Sequence, residues 1–252
     1  MPTGNNAILA YQQKCYREYA HSIGLPEPYT YPDGNPIRPL PPVQTAVGGL
    51  MIVGAYPSAR FESRPSRNQP RRYRLVPVAD NLQPFGYERY FGGLRVRTLE
   101  SADGLQKYLL ASLSLSFEQC WITDIVKVFL YKPEHTASCG AVHPEFRVPE
   151  LRSHFRNLAR KSLSWLQGEC RLCKPKLIVT LGAEVAQVVS GELSASADKL
   201  LSPDVTRSTA LGSYPTLFLP HPDACRRSEK WRTRIAERIE TIRTILRGDF
   251  NR

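Results

Sequence analysis

The sequence predicts an α/β fold of three layers, α/β/α, with a central, mostly parallel four-stranded sheet. Four short apolar runs recur along the chain, and each is followed by Gly, Pro or polar residues, as buried parallel strands are. Segments of helical character lie between the runs. This alternation favours parallel pairing, because a chain that returns to a sheet in the same direction needs a crossover.

Residues 1–45 are predicted to form an N-terminal helix and a connector. Residues 7–23 have helical character, and the Pro-rich stretch that follows should be irregular. The first strand is predicted within residues 48–57, where an apolar run ends in a Gly/Pro turn. We find no internal repeat and predict a single domain over residues 1–252.

The segment 58–80 is rich in arginine and has little apolar periodicity. This composition predicts a solvated loop that could contact phosphate. Its arginines are Arg60, Arg64, Arg67, Arg71, Arg72 and Arg74.

The rest of the chain continues the alternation of helices and strands. The predicted elements are a helix at 101–116, a strand within 120–130, a helix at 148–168, a strand at 177–182, a helix at 183–191, a strand that begins at 216 and a closing helix at 228–247. Sheets of this kind bind ligands beyond the carboxyl ends of their strands. The polar residues Tyr56, Asp124 and His221 each follow an apolar run and are therefore candidate site residues.

Charge favours a polyanionic partner. The chain has 34 basic and 23 acidic residues, a net charge of +11 and a pI of about 9.5. Lysines and arginines placed on phosphates release condensed counterions, which favours nucleic acid, although a basic surface without a partner or an anionic membrane would also account for the charge. No stretch approaches the roughly 18 apolar residues of a membrane helix, and the N-terminus does not resemble a signal peptide. We expect a cytoplasmic monomer.

The six cysteines are scattered along the sequence. Cys170 and Cys173 form a CxxC, but no second CxxC or paired His follows at zinc-finger spacing. We therefore expect thiols and no metal site.

Four segments, in order, resemble motifs of the uracil-DNA glycosylase superfamily. LMIVGAYPS resembles its Gly-x-x-Pro loop, and CWITDIVKV resembles the strand that ends in Ile-Thr-Asn. KPKLIVTLGAEVAQVV is similar to a further strand and helix, and FLPHPDACRR resembles the His-Pro-Ser motif. In addition, QPFGYERYF resembles the Pro-Phe segment whose ring stacks on the extruded base.

The resemblance implies a DNA glycosylase that flips a nucleotide into a closed pocket. It implies that Phe85 stacks on the base and that His221 donates a hydrogen bond to the base O2 as negative charge develops there. The base pocket would be formed by Gly54, Ala55, Tyr56, Pro57 and Phe85.

Asp124 departs from the family pattern, because the family has Asn at this position. Asn can match uracil N3–H and O4, whereas an ionised Asp offers acceptors only. An Asp could accept from the exocyclic N4–H₂ of cytosine and, if protonated, donate to N3. This predicts cytosine or a modified cytosine as the target. The alternative is that Asp124 caps a turn or pairs with Lys127.

The first motif also departs, because Ala55 and Tyr56 stand where several branches have a carboxylate that orients water or stabilises the cationic sugar. Glu62 and Asp124 are the nearest candidates for this catalytic role, with His221 as the third catalytic residue. The missing loop carboxylate keeps a noncatalytic DNA-binding module open as an alternative.

Two further predictions follow from the resemblance. Arg226 and Arg227 would grip DNA in the loop that relatives insert into the duplex, although they could also begin a solvated helix. Some branches hold an iron–sulfur cluster through four cysteines, but Cys15 lacks a nearby partner and no cysteine follows the second strand, so we predict no cofactor. DNA is the expected partner, single- or double-stranded.

The leading hypothesis is a monofunctional glycosylase without lyase activity that excises a modified cytosine, in a defence role against viruses with modified DNA. Ordinary uracil repair is the alternative within the class. A generic nucleotide-binding enzyme is disfavoured, because neither GxGxxG nor GxxxxGK[ST] is present.

Overall fold

The computed structural model describes residues 4–85, 89–92, 95–98, 100–201 and 205–248. Its strands are β1 (Leu50–Gly54), β2 (Ala59–Ser66), β3 (Gln69–Asp80), β4 (Arg89–Gly92), β5 (Arg95–Thr98), β6 (Trp121–Asp124), β7 (Leu177–Leu181) and β8 (Thr216–Leu219).

The α-helices pack around these strands. They are α1 (Gly4–Ser22), α2 (Glu100–Leu105), α3 (Ala111–Leu113), α4 (Pro133–Val142), α5 (Phe155–Cys173), α6 (Ala183–Ser190), α7 (Ala197–Leu200), α8 (Pro222–Arg227), α9 (Glu229–Ala236) and α10 (Ile239–Arg247). A π-helical segment, Gln106–Leu110, joins α2 to α3, and short 3₁₀ turns occur at Phe117–Gln119 and Arg152–His154. No helix within the described ranges is long and apolar enough to cross a membrane.

The central sheet has the strand order β6-β1-β7-β8, and all neighbouring strands are parallel. Alternate side chains along β1 enter two separate cores. Met51 and Val53 pack with α1, α5 and α6, whereas Leu50 and Ile52 pack with the α2–α3 region and α10. The prediction of a three-layer α/β/α fold with a parallel four-stranded sheet is confirmed.

The prediction of a loop over residues 58–80 is wrong. β2 and β3 pair in antiparallel register and form a hairpin. Ala59, Val76 and Val78 are buried at its base, where the hairpin packs against the core, while residues 67–74 are exposed on the outer half. Apolar alternation is therefore limited to the base of the hairpin. The arginine-rich outer half has no such alternation, so the sequence does not predict its strands.

Two helix boundaries differ from the prediction. The helix predicted at 148–168 is α5, which begins at Phe155 after a 3₁₀ turn. The helix predicted at 228–247 is divided into α9 and α10, which contact different parts of the fold. α9 packs near α8 and the π-helical segment, whereas α10 packs on α3 and β7.

Candidate active site

A cleft of about 710 Å³ lies at the carboxyl ends of the parallel strands. The residues that follow β1, β7 and β8 line it together with the last residue of β6, as expected for an open α/β sheet. A second wall comes from the segment after β3 and from the start of α4. The side chains of this second wall include Asn81, Phe85, Lys132, Glu134 and His135.

Gly54, the last residue of β1, packs against two of the candidate residues. A Cβ atom built at Gly54 would lie 2.2 Å from Oδ1 of Asp124 and 2.6 Å from Cε2 of Phe85. The parallel register also pairs Gly54 with Asp124. Only glycine leaves room for both side chains at this point, so β1 brings the carboxyl group and the aromatic ring together.

Phe85 has a backbone conformation that is uncommon for a residue with a side chain. Its φ is +53°, in the left-handed region. Such conformations in bulky residues cost free energy and often occur at functional sites. The Phe85 ring lies 6.5 Å from the His221 ring, centroid to centroid, with 30° between their planes. The structure therefore brings Phe85, Asp124 and His221 to one cleft.

The Asp124 side chain is buried, and the described residues provide its carboxyl group with no hydrogen-bonding partner. The residue is 3% exposed, and its carboxyl group forms no hydrogen bond or ion pair with the part of the chain that the structure describes. Burial raises the pKa of Asp124 to about 7. The nearby Lys127 ammonium opposes this rise, and the Glu169 carboxylate adds to it. At neutral pH the group is therefore divided between its protonated and ionised forms.

The expected alternative, an ion pair between Asp124 and Lys127, is not what the structure shows. The Lys127 ammonium pairs with Glu169 at 2.5 Å, and both side chains are completely buried. Lys127 Nζ also donates to Oγ1 of Thr123 and to the backbone carbonyl of Asp124. The cation therefore binds the main chain of Asp124 and leaves its carboxyl group facing the cleft.

His221 begins α8 as its N-cap residue. Its Nδ1 accepts a hydrogen bond from the backbone N–H of Asp223 at 3.2 Å. A neutral imidazole that accepts through Nδ1 carries its proton on Nε2. Burial lowers the pKa of His221, although the Asp223 carboxylate opposes this shift. The residue lines the cleft as a neutral side chain with one N–H to donate.

Comparison with known families agrees with this geometry. The sequence model of the uracil DNA glycosylase superfamily matches residues 48–243. The chain belongs to the uracil-DNA glycosylase superfamily. The match includes the exits of all four sheet strands and supports a glycosylase function that acts on DNA. A search of curated proteins returned no match.

The first motif places Tyr56 in the cleft, where the Arg152 guanidinium packs over its ring. The Arg152 guanidinium lies 5.4 Å from the Tyr56 ring centroid and 5.2 Å from that of Phe155. Two of its nitrogens also contact the Glu184 carboxylate. The cleft thus holds a stacked cation and a carboxylate that the sequence analysis did not single out. Arg152 lies in the 3₁₀ turn, outside the family-like segments, and Glu184 lies within the third of them, at the start of α6.

Glu62, the predicted catalytic carboxylate, does not reach the cleft. Side chains alternate along β2, so Phe61 lines the cleft and the Glu62 side chain, 58% exposed, bonds Arg64 at 3.1 Å. The prediction that Glu62 is a catalytic residue of the cleft is therefore wrong. The carboxyl groups that line the cleft belong to Asp124, Glu134, Glu184 and Asp223.

The predicted DNA-binding arginines fall into two groups. Arg71 and Arg72 are exposed on the outer half of β3, and Arg226 and Arg227 are exposed at the end of α8. By contrast, the Arg64 guanidinium is partly buried and binds both oxygens of Asp33. Arg60, also half-buried, has contacts within the protein. Arg226 also has contacts within the protein, so Arg71, Arg72 and Arg227 are better placed to reach phosphate.

The cysteines do not fit an iron–sulfur cluster. All six are buried, and none is bonded to another. No three His, Cys, Asp or Glu side chains in the described ranges come close enough to share a metal ion. Burial raises the pKa of the Cys170 and Cys173 thiols to about 12, which disfavours the thiolate form that metals bind.

Proposed function

We propose that the protein is a monofunctional DNA glycosylase that excises a modified cytosine. It flips the target nucleotide into the cleft, water attacks C1′ of the sugar, and the free base leaves behind an abasic site. The observation that supports this target is the buried carboxyl group of Asp124, which has no partner among the described residues and lies at the end of β6, where the superfamily has the Asn that reads the base.

The chemistry of Asp124 favours a base with an exocyclic amino group. A protonated carboxyl group donates to cytosine N3 through its hydroxyl and accepts from N4–H₂ through its carbonyl oxygen. An ionised carboxylate facing uracil would place negative charge against the O4 lone pairs, whereas the protonated form could also donate to O4 and accept from N3–H, so the choice between the two bases is left to the oligonucleotide panel. The pKa of about 7 keeps the protonated form populated near neutral pH.

His221 assists departure of the base. Cleavage of the glycosidic bond leaves negative charge on the base O2, and a donor that is already oriented stabilises that charge. The hydrogen bond from Asp223 N–H to Nδ1 fixes the tautomer, so the Nε2–H is the donor. Phe85 supplies the apolar face on which the flipped base stacks.

The size of the cleft supports a substituted base. Pockets that hold drug-sized ligands measure roughly 300–1,000 Å³, and the cleft, at about 710 Å³, lies in that range. A cleft of this size has room for a flipped nucleotide that carries a substituent on its base. Excision of ordinary cytosine would damage the host genome, so we place the modified base in foreign DNA, which gives the protein a role in defence against viruses.

Oligonucleotides with different bases test this proposal. Separate strands carrying uracil, cytosine, 5-hydroxymethylcytosine or glucosylated 5-hydroxymethylcytosine are incubated with the protein, single-stranded and in duplex. We expect alkali-labile sites from a modified cytosine and no strand cleavage before alkali. Excision of uracil alone would make the protein an ordinary repair enzyme, and cleavage before alkali would reveal lyase activity.

The Asp124→Asn variant is run on the same panel. Asn restores the donor and acceptor that match uracil, so we expect activity to move from the modified cytosine toward uracil. If the variant keeps the preference of the wild type, Asp124 does not read the base.

One observation favours a second function. The Gly-x-x-Pro loop has no carboxylate, since its central residues are Ala55 and Tyr56, and Glu62 points away from the cleft. A noncatalytic DNA-binding module would have the same architecture. It would bind the oligonucleotides of the panel but release no base from any of them.

A further inference from the structure

Asn81 has a buried amide oxygen that is not hydrogen-bonded to any described residue. The residue is 5% exposed, and its Oδ1 is inaccessible and makes no hydrogen bond with the described residues. Its side chain nevertheless lines the cleft. Buried polar atoms in folded proteins are nearly always paired, so an unpaired one at a ligand cleft points to a bond that forms when the ligand is present.

The backbone holds Asn81 in a defined position. The hairpin register pairs Ala59 with Asp80, which places Asn81 beside Ser58 at the end of the Gly-x-x-Pro loop. Asp80 is fixed in turn, because its Oδ1 accepts a hydrogen bond of 2.7 Å from the Tyr31 hydroxyl. The amide is therefore preorganised at the rim of the base pocket.

The same short segment carries Phe85. Between the two residues, Gln83 Oε1 accepts a hydrogen bond of 2.6 Å from Nε2 of Gln44, which ties the segment to the chain before β1. Asn81 and Phe85 thus enter the cleft from one anchored stretch, an amide beside the ring proposed to stack on the base.

We propose that Asn81 is a specificity-determining residue whose amide hydrogen-bonds to the substituent that distinguishes the flipped modified base from cytosine. This inference rests on the proposed function, since it requires a base in the cleft. An amide offers a donor and an acceptor together. Asp124 lacks the amide that relatives have at its position, and Asn81 supplies one from the second wall of the cleft. The two side chains together hydrogen-bond to more of the base than the carboxyl group alone.

Binding measurements with the Asn81→Leu variant test this role. The leucine side chain has the same number of heavy atoms as that of asparagine, with the same branching, and forms no hydrogen bonds. Equilibrium binding is measured to duplexes that contain 2′-fluoro nucleotides, which resist hydrolysis, with 5-hydroxymethylcytosine, its glucosylated form or cytosine at the target position. We expect the preference for the modified base to fall roughly tenfold, as for loss of one hydrogen bond. The thermal midpoint should be unchanged or higher, because the variant removes an unpaired buried amide.

Asn6→Leu is the matched control, since Asn6 is exposed on α1 and does not line the cleft. It should keep the preference of the wild type. If Asn81→Leu does not fold, Asn81→Ser, which is smaller and keeps a polar group, replaces it with the same expected loss of preference.

The outcomes separate the two proposals. A folded Asn81 variant that discriminates as well as the wild type, or a wild type that binds both bases equally, overturns the role of Asn81. The proposed function is judged separately, by whether the wild type releases any base. A protein that discriminates through Asn81 but forms no abasic site would support the specificity role and refute the catalytic one.

Discussion

At the scale of single residues, the buried carboxyl group of Asp124 should make the free energy of unfolding depend on pH. Its pKa rises from an ordinary value of 3.8 to about 7 in the folded protein, mainly because it is buried. Between these two pKa values the folded state holds a proton that the unfolded state has released. The free energy of unfolding therefore falls by about 1.4 kcal/mol for each pH unit between pH 4 and 7. Above pH 7 this group causes no further change.

The Asp124→Asn variant removes this dependence. We expect the variant to be more stable than the wild type above pH 7, and the difference to shrink as the pH falls toward 4, where both carry a neutral side chain. Urea unfolding at a series of pH values measures it. Asp103→Asn, at an exposed site on α2, is the control and should show no such trend. A gap between Asp124→Asn and the wild type that is independent of pH would contradict the assignment.

At the scale of elements, the sheet was predictable from sequence and much of the site was not. Each sheet strand is a short apolar run buried on both faces, which is the pattern that a parallel strand leaves in a sequence. Phe85, Asp124 and His221 could be found because each lies near a recognisable motif. Arg152 and Glu184 lie in different elements and meet only in the folded chain, and Asn81 is in no motif.

The hairpin shows why the rest could not be predicted. Strands are recognised by apolar alternation, and from residue 67 to 74 every side chain is exposed. Alternation at the base of the hairpin decides that Phe61 faces the cleft while Glu62 faces away. In the sequence this alternation is difficult to recognise beside the Arg-rich outer half. A candidate chosen by sequence distance alone was therefore placed on the wrong face of β2.

The outer half of the hairpin should contribute salt-dependent binding. Arg71 and Arg72 are exposed where the β2–β3 register becomes irregular. If both bind phosphates, the Arg71→Gln/Arg72→Gln variant should flatten the slope of log K against log salt by about 0.9 for each phosphate that is no longer neutralised. Arg171→Gln is the control, since Arg171 is exposed near the end of α5 and does not line the cleft. Titrations of a DNA duplex at several salt concentrations measure the slopes, and an unchanged slope in the double variant would exclude the hairpin from the interface.

At the scale of the whole molecule, a buried ion pair connects three elements behind the cleft. Lys127, just after β6, pairs with Glu169 of α5. The Glu169 carboxylate also accepts hydrogen bonds from the Tyr11 hydroxyl of α1, at 2.8 Å, and from Trp121 Nε1 of β6, at 3.0 Å. Because Lys127 also binds the main chain of Asp124, the network that joins the layers supports the candidate site as well.

A double-mutant cycle tests this network. Lys127→Met leaves a buried carboxylate without its cation, and Glu169→Gln leaves a buried ammonium without its anion, so each should cost about 3–5 kcal/mol of unfolding free energy. The double variant buries neither charge, and its glutamine still accepts from Tyr11 or Trp121. We expect it to lose much less than the sum of the single variants in urea unfolding.

The exposed pair Lys14–Glu18 on α1 provides the matched cycle, with Lys14→Met and Glu18→Gln. Solvent screens this pair, so its coupling should be only about 0.3–0.5 kcal/mol. Additive losses in the Lys127–Glu169 cycle would mean that the two charges are stabilised independently of each other. In that case Lys127 would hold the backbone carbonyl of Asp124 without help from Glu169. Glu169→Gln would then leave DNA binding unaltered.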